Sequence, residues 1–408
     1  MAALGPFEPA PRLAVAVSGG ADSMCLAWLA RRWTGGTVHG LVVDHGLRPG
    51  SAAEAALTAS RLAEIGVVTS VLTLAGLPHG PALAERARIA RHAALEAACA
   101  AMGVLHLLFA HHAADQAETV AMRLLRAAST AGLAGMAALA ETRGLRRLRP
   151  LLAIPPARLR ATLAAAGLAW VEDPSNADPR AERNRLRLLR ADRDGIGPAT
   201  RALVRAAAAR AGARAVAETE DAAWLGIAAR LHPEGFAVLD PTFLRPGALA
   251  FLLRMLAGRD HPPPPDRIAA WAAAPRPATL GGVRIMAAPA GRLLLAREEA
   301  AMAPPRPARP GTVWDGRFRV LAAAPELEIG AVGAAASGLR RVSALPAAVL
   351  RTLPALRRNG RLVAVPHLGY DVTLEEGGAR IVFDPPSPAA GAAFFAGPGV
   401  QTPVSHPM

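Results

Sequence analysis

Ala14-Val15-Ala16-Val17-Ser18-Gly19-Gly20-Ala21-Asp22-Ser23 is the stretch from which the rest of the chain is read. Leu13 to Val17 is short, apolar and rich in valine, the pattern of a strand buried on both faces. Ser18-Gly19-Gly20 breaks it, and Met24 to Arg32 then reads as a helix. Strand, glycine turn and helix together aim backbone N–H groups and a helix N-terminus at an anion. Ser18 and Ser23 add hydroxyls, and Gly19 and Gly20 let the backbone approach closely. Asp22 is the odd member, because a carboxylate repels phosphate unless a metal stands between them. The loop therefore predicts a nucleotide carried with Mg²⁺. The competing reading is a plain Gly-Gly turn whose aspartate caps the helix.

The motif is neither GxGxxG nor GxxxxGK[ST]. All 46 basic residues are arginine. A P-loop lysine and a kinase strand lysine are both excluded, and with them the two commonest ATP-binding designs. SGGxDS, complete at Ser18 to Ser23, resembles the PP-loop of N-type ATP pyrophosphatases. Members of that group activate a carbonyl oxygen with AMP and release pyrophosphate.

Hydrophobic content of 52% with 19% charged residues argues against disorder, and 408 residues leave room for two or three domains. No run of 18 uncharged apolar residues and no signal-peptide pattern is visible, so a cytoplasmic protein is expected. Cys25 and Cys99 supply neither a disulfide framework nor a zinc site. A net charge of +14 points to an acidic partner, most simply nucleic acid, although an Ala/Arg/Gly/Pro coding bias produces the same excess.

Apolar runs at 37–43, 67–74, 104–110 and 145–151 read as further strands, with helical patterns between them. The fold class predicted is α/β, with a largely parallel, Rossmann-like sheet over residues 10–192. Ligands gather at the carboxyl ends of such strands. There the backbone around Val42 and Val43 suits an adenine ring with Arg48 near phosphate, although without the glycine turn an ordinary strand-ending turn is the better reading. Ser51 with Glu54 three residues on suggests a capping box at the next helix. Arg86, Arg88 and Arg91 suggest one solvated basic face. After the fourth strand comes His111-His112-Ala113-Ala114-Asp115-Gln116-Ala117-Glu118-Thr119. Asp115 and Glu118, three apart on a helix, share a face, where they suit either a Mg²⁺ shared with Asp22 or a cationic amine. Taken alone, such a pair is as well explained by acid complementing a helix dipole.

The order SGGADS, VDHGLR (43–48), HHAADQAET, GLAGM (132–136), RPLL (149–152), WVEDPSN (170–176) and RNRLR (183–187) resembles the tRNA(Ile)-lysidine synthase family. The resemblance implies ATP and Mg²⁺, adenylation of the wobble cytidine of a CAU-anticodon tRNA(Ile), and attack by free L-lysine. It places Ser18, Gly19, Gly20, Ala21, Asp22 and Ser23 on the ATP phosphates, with Asp22 and Asp115 on the metal. It places Asp115 and Glu118 beside metal and lysine, and His111, Arg183, Asn184 and Arg187 around the site. This chain departs from the family's pattern at Ala114, usually aspartate, at Arg126-Ala127-Ala128-Ser129, where RGSG is usual, and at His92, usually tyrosine. A PP-loop tRNA sulfurtransferase and a degenerate tRNA-binding protein are the alternatives. The remainder reads as a helical connector or substrate-binding region over 199–300 and a small α+β module over 311–384 that meets tRNA. An Ala/Gly/Pro-rich tail over 385–408 is expected to be disordered.

Overall fold

The computed structural model describes residues 1–46, 50–74, 76, 80, 83–126, 132–172, 185–187, 191–371 and 378–397. It resolves into two units, Met1–Val216 together with the C-terminal stretch from Ala392, and Ala217–Gly391. Among the described residues no helix is long and apolar enough to cross a membrane.

The first unit is the expected α/β layer. Its elements are β1 (Leu13–Val17), α1 (Ala21–Trp33), β2 (Val38–Asp44), α2 (Ser51–Glu64), β3 (Val68–Thr73), α3 (Leu83–Met102), β4 (His106–Leu108), α4 (Ala113–Leu125), β5 (Leu139–Thr142), β6 (Leu145–Leu148), α5 (Pro156–Ala165) and α6 (Pro198–Ala228), whose last residues pass into the second unit. The sheet order is β3-β2-β1-β4-β6-β5, parallel except for the β5–β6 hairpin. β5 is too short and too polar to read as a strand by itself. It exists because Glu141 and Arg146 face each other across the hairpin.

Period-two alternation builds a core on each face. Leu13, Val15 and Val17 join α1 and α5 on one side, while Ala14 and Leu41 meet Leu95, Cys99 and Phe109 on the other. The strand order reverses direction between β1 and β4. Their carboxyl ends therefore flank the crevice where ligands of open α/β sheets bind.

Two local expectations are corrected. Helix α2 has no capping box: Gly50, at φ +88°, is its N-cap and no side chain caps it, while Ser51 bonds the Asp44 carboxylate instead. Arg91 does not share a solvated face with Arg88, which pairs with Glu85 at 3.0 Å. Its guanidinium is partly buried, with Nε unpartnered among the described residues.

The tail expected to be disordered is packed as far as it is described. Ala138 N–H donates to the Phe395 carbonyl at 2.6 Å, Phe394 is buried, and Arg214 sits 4.2 Å above the Phe394 ring. Two adjacent phenylalanines outweigh the surrounding Ala, Gly and Pro.

The second unit holds a five-stranded antiparallel sheet (Ala229–His232, Phe236–Leu239, Leu293–Arg297, Val283–Ala287, Ala278–Leu280) covered by helices Pro246–Ala257 and Pro265–Ala273. The 199–300 region is thus more than a helical connector. Two further antiparallel sheets follow. Asp315, nearly fully buried, accepts two bonds from Arg297 and one from Arg317 across the proline-rich 303–310 segment.

Candidate active site

The glycine turn is braced from inside. Ser18 N–H donates to Ser23 Oγ at 3.1 Å, and Ser23 Oγ donates to the Gly20 carbonyl at 3.0 Å. Ser23 is thus spent on the loop's own geometry, leaving Ser18 with the hydroxyl that can turn to a ligand; the two Oγ atoms lie 3.2 Å apart. Gly19 is required twice over, by its φ of +85° and because a Cβ there would meet Thr58 Oγ1 at 2.5 Å. Its carbonyl accepts from Val171 N–H at 2.9 Å. Gly20 is the N-cap of α1 and offers no side-chain acceptor. The first N–H groups of α1 therefore remain for an anion. Val43 lies one residue beyond the last β2 position paired with β1, Val42 opposite Val17.

Asp22, in the first turn of α1, points toward the end of β4. Its Oδ2 lies 3.5 Å from His112 Nε2, and its Oδ1 is buried with no hydrogen-bond partner among the described residues. His112 is the N-cap of α4 and closes a true capping box. Its Nδ1 accepts from Asp115 N–H at 3.4 Å, and its own N–H donates to Asp115 Oδ2 at 3.0 Å. Glu118, fully buried one turn on, accepts from Arg187 Nε at 2.6 Å, and Arg187 Nη2 donates to Asp115 Oδ1 at 3.0 Å. Glu118 Oε2 has no partner among the described residues. The structure thus brings Asp22, Asp115, Glu118 and Arg187 together through His112. His111 adds its charge to the field at Asp115. Arg48, Arg183 and Asn184 lie outside the described residues, as does the 127–129 loop.

The electrostatics follow from these contacts. Burial opposes a charge on His112, but the Asp22 and Asp115 carboxylates outweigh it and raise its pKa. Burial likewise opposes ionisation of Asp115. The charges of His112 and His111, the His112 N–H and Arg187 reverse that and lower its pKa. Arg187 loses hydration by burial yet is held charged by Glu118 and Asp115.

The motifs alone gave His112 and Gln116 no role. Gln116 clamps Met136 with two bonds (2.7 and 3.1 Å), and Arg123 holds the Gly132 and Gly135 carbonyls, so the GLAGM loop hangs on α4. The signal for His112 was present as His-x-x-Asp at a helix start, with histidine in the position that serine usually fills. His92, where the family usually has tyrosine, is pushed down to about 4 by burial and by Arg91, Arg147, Arg88 and Arg149. At neutral pH it is an uncharged ring 5.3 Å from Phe109. Cys25 and Cys99 are fully buried, and burial pushes their thiols up to about 11 and about 12, so neither offers a thiolate.

A Mg²⁺ ion takes one or two carboxylates and completes its shell with phosphate oxygens and water. Asp22 fits that role through its unpartnered Oδ1. Both Asp115 oxygens already accept one bond, and each keeps a second lone pair. No cluster of three or more His, Cys, Asp or Glu forms a ready cage among the described residues. A metal here would need the nucleotide's own oxygens to complete its shell.

The family model of the PP-loop domain matches residues 2–191. The chain is 38% identical to the tRNA(Ile)-lysidine synthase of Rhodopseudomonas palustris over 335 residues, 75% of this chain and 94% of that one. It is 35% identical to the tRNA(Ile)-lysidine synthase of Ruegeria pomeroyi over 89% of this chain and 90% of that one. Among solved structures, the U34-tRNA thiolase NcsA from Methanococcus maripaludis with its [4Fe-4S] cluster aligns at a TM-score of 0.40 and 17% identity, over 50% of this chain and 74% of that chain. That likeness is too low to bear on function.

Proposed function

Because this chain belongs to the tRNA(Ile)-lysidine synthase family of ATP-dependent, tRNA-modifying PP-loop ligases, we propose that its β1–β4 crevice binds ATP with Mg²⁺, adenylates the wobble cytidine of a CAU-anticodon tRNA(Ile), and exchanges AMP for L-lysine. The observation that carries this reading is the unpartnered, buried Oδ1 of Asp22 in the first turn of α1, next to a glycine turn whose Gly19 has no room for a Cβ.

The turn's N–H groups and the Ser18 hydroxyl hold phosphate oxygens, and the α1 N-terminus favours their charge. Asp22 and Asp115 are the residues that would hold Mg²⁺, which when bound neutralises charge as pyrophosphate departs. Adenylation turns a poor leaving group, the cytidine carbonyl oxygen, into a good one. Arg187 spans Asp115 and Glu118, and with Asp115 given to the metal, Glu118 Oε2 is the acceptor left for the lysine ammonium. Lysine thus enters as a cation, gives one proton to solvent, and attacks as the neutral amine while AMP leaves with the former carbonyl oxygen. Sulfur transfer is disfavoured, because both cysteines are buried as neutral thiols. The test is product identity: AMP and pyrophosphate support this function, and ADP with phosphate contradicts it.

The tRNA also needs a basic surface. Of the C-terminal arginines, Arg351 pairs with Glu299, Arg358 with Glu326, and Arg357 bonds the Val332 carbonyl; Arg340, Arg341 and Arg361 are exposed. A chain cut near residue 300 would strand Arg297 without Asp315, so charge removal is the cleaner probe. Replacing Arg340, Arg341 and Arg361 together by serine is expected to weaken tRNA binding and to shallow its log–log salt slope by about 3, roughly one for each phosphate no longer neutralised. An unchanged slope in the folded variant would make these arginines plain surface.

A further inference from the structure

We infer that His112 is a positioning residue whose Nε2–H faces Asp22 Oδ2 and leaves Oδ1 without a protein partner, for the metal; this rests on the reading of Asp22 as a metal ligand. The argument is one of tautomers. His112 caps α4 by accepting the Asp115 N–H on Nδ1, so in the neutral ring the proton sits on Nε2. In the imidazolium Nε2 carries a proton as well, and Nδ1–H gives up the cap and faces Asp115 Oδ2, 3.5 Å away. In either form an N–H faces Asp22 Oδ2 at an ion-pair separation of 3.5 Å.

The ring is only 8% exposed, and its backbone N–H is fixed by Asp115 Oδ2 at 3.0 Å. One imidazole thus ties the first turn of α1, after β1, to the first turn of α4, after β4. Groups that orient a metal's ligands in this way reduce the freedom lost on binding. A residue that served only as a helix cap would need no contact with Asp22.

Two substitutions separate the roles. An asparagine amide stands at the depth of Nδ1, so His112→Asn keeps a good N-cap and loses Asp22. A glutamine amide reaches the depth of Nε2, so His112→Gln keeps an N–H for Asp22 and loses the cap. The measurement is calorimetric binding of α,β-methylene-ATP with and without Mg²⁺, together with Tm. For His112→Asn, Tm and metal-free affinity are expected to match the wild type, while the Mg²⁺-dependent gain falls about tenfold. For His112→Gln, the gain is expected to persist while Tm drops by a few degrees. A full Mg²⁺ gain in His112→Asn overturns the inference, and so does loss of the gain in His112→Gln, which decides the matter even where the asparagine variant fails to fold. If Mg²⁺ adds nothing to binding by the wild type, the metal reading of Asp22 falls first.

Discussion

Asp22→Asn is expected to lower pyrophosphate release by about 10³-fold while the protein stays folded. The substitution keeps the size of the side chain and an oxygen that His112 can reach. What it removes is the negative charge on an atom that is buried and has no protein partner among the described residues. A carboxylate oxygen in that state costs stability unless a ligand completes it. The variant should therefore melt at or slightly above the wild-type Tm, and its loss should fall on the Mg²⁺-dependent step. Full turnover in Asp22→Asn would remove Asp22 from the metal site.

The second large effect concerns Arg187. Arg187→Ala is expected to cost about 2 kcal/mol of stability, below the range for a fully buried pair because the guanidinium is partly exposed. Turnover should fall about 10²-fold, since Glu118 and Asp115 are left with no cation between them and Asp115 becomes harder to ionise. The sign follows from the contacts. Arg187 is among the groups that lower the Asp115 pKa. Removing it moves the acid limb of the pH–rate profile to higher pH. Arg187→Lys should rescue the charge but not the two-pronged contact, leaving activity intermediate. Wild-type stability and an unmoved acid limb in Arg187→Ala would show that this contact does not matter in solution.

The central strand, turn and helix were legible because several levels agree there. Valine alternation, paired glycines and a first-turn acid all demand one geometry. Asp115 and Glu118 were legible as a pair through their spacing alone. The role of His112 was not, because its two partners come from two different strand ends, and the capping pattern at Ser51 drew attention instead. At that site Gly50 in the left-handed region takes the cap position, and Ser51 turns to Asp44. The buried Arg297–Asp315–Arg317 group is invisible for a related reason. Its long-range ion pair crosses a proline-rich stretch that composition reads as a linker, and nothing local marks Asp315 as buried. The Phe394-Phe395 pair was hidden by averaging over its small neighbours.

The most direct test of the central claim is the stoichiometry of one reaction mixture containing ATP, Mg²⁺, L-lysine and tRNA(Ile) with a CAU anticodon. The account predicts one AMP, one pyrophosphate and one lysine bound to tRNA for each ATP consumed, with AMP formation depending on tRNA. Release of ADP and phosphate, or matched AMP and pyrophosphate with no lysine on the tRNA, would contradict it.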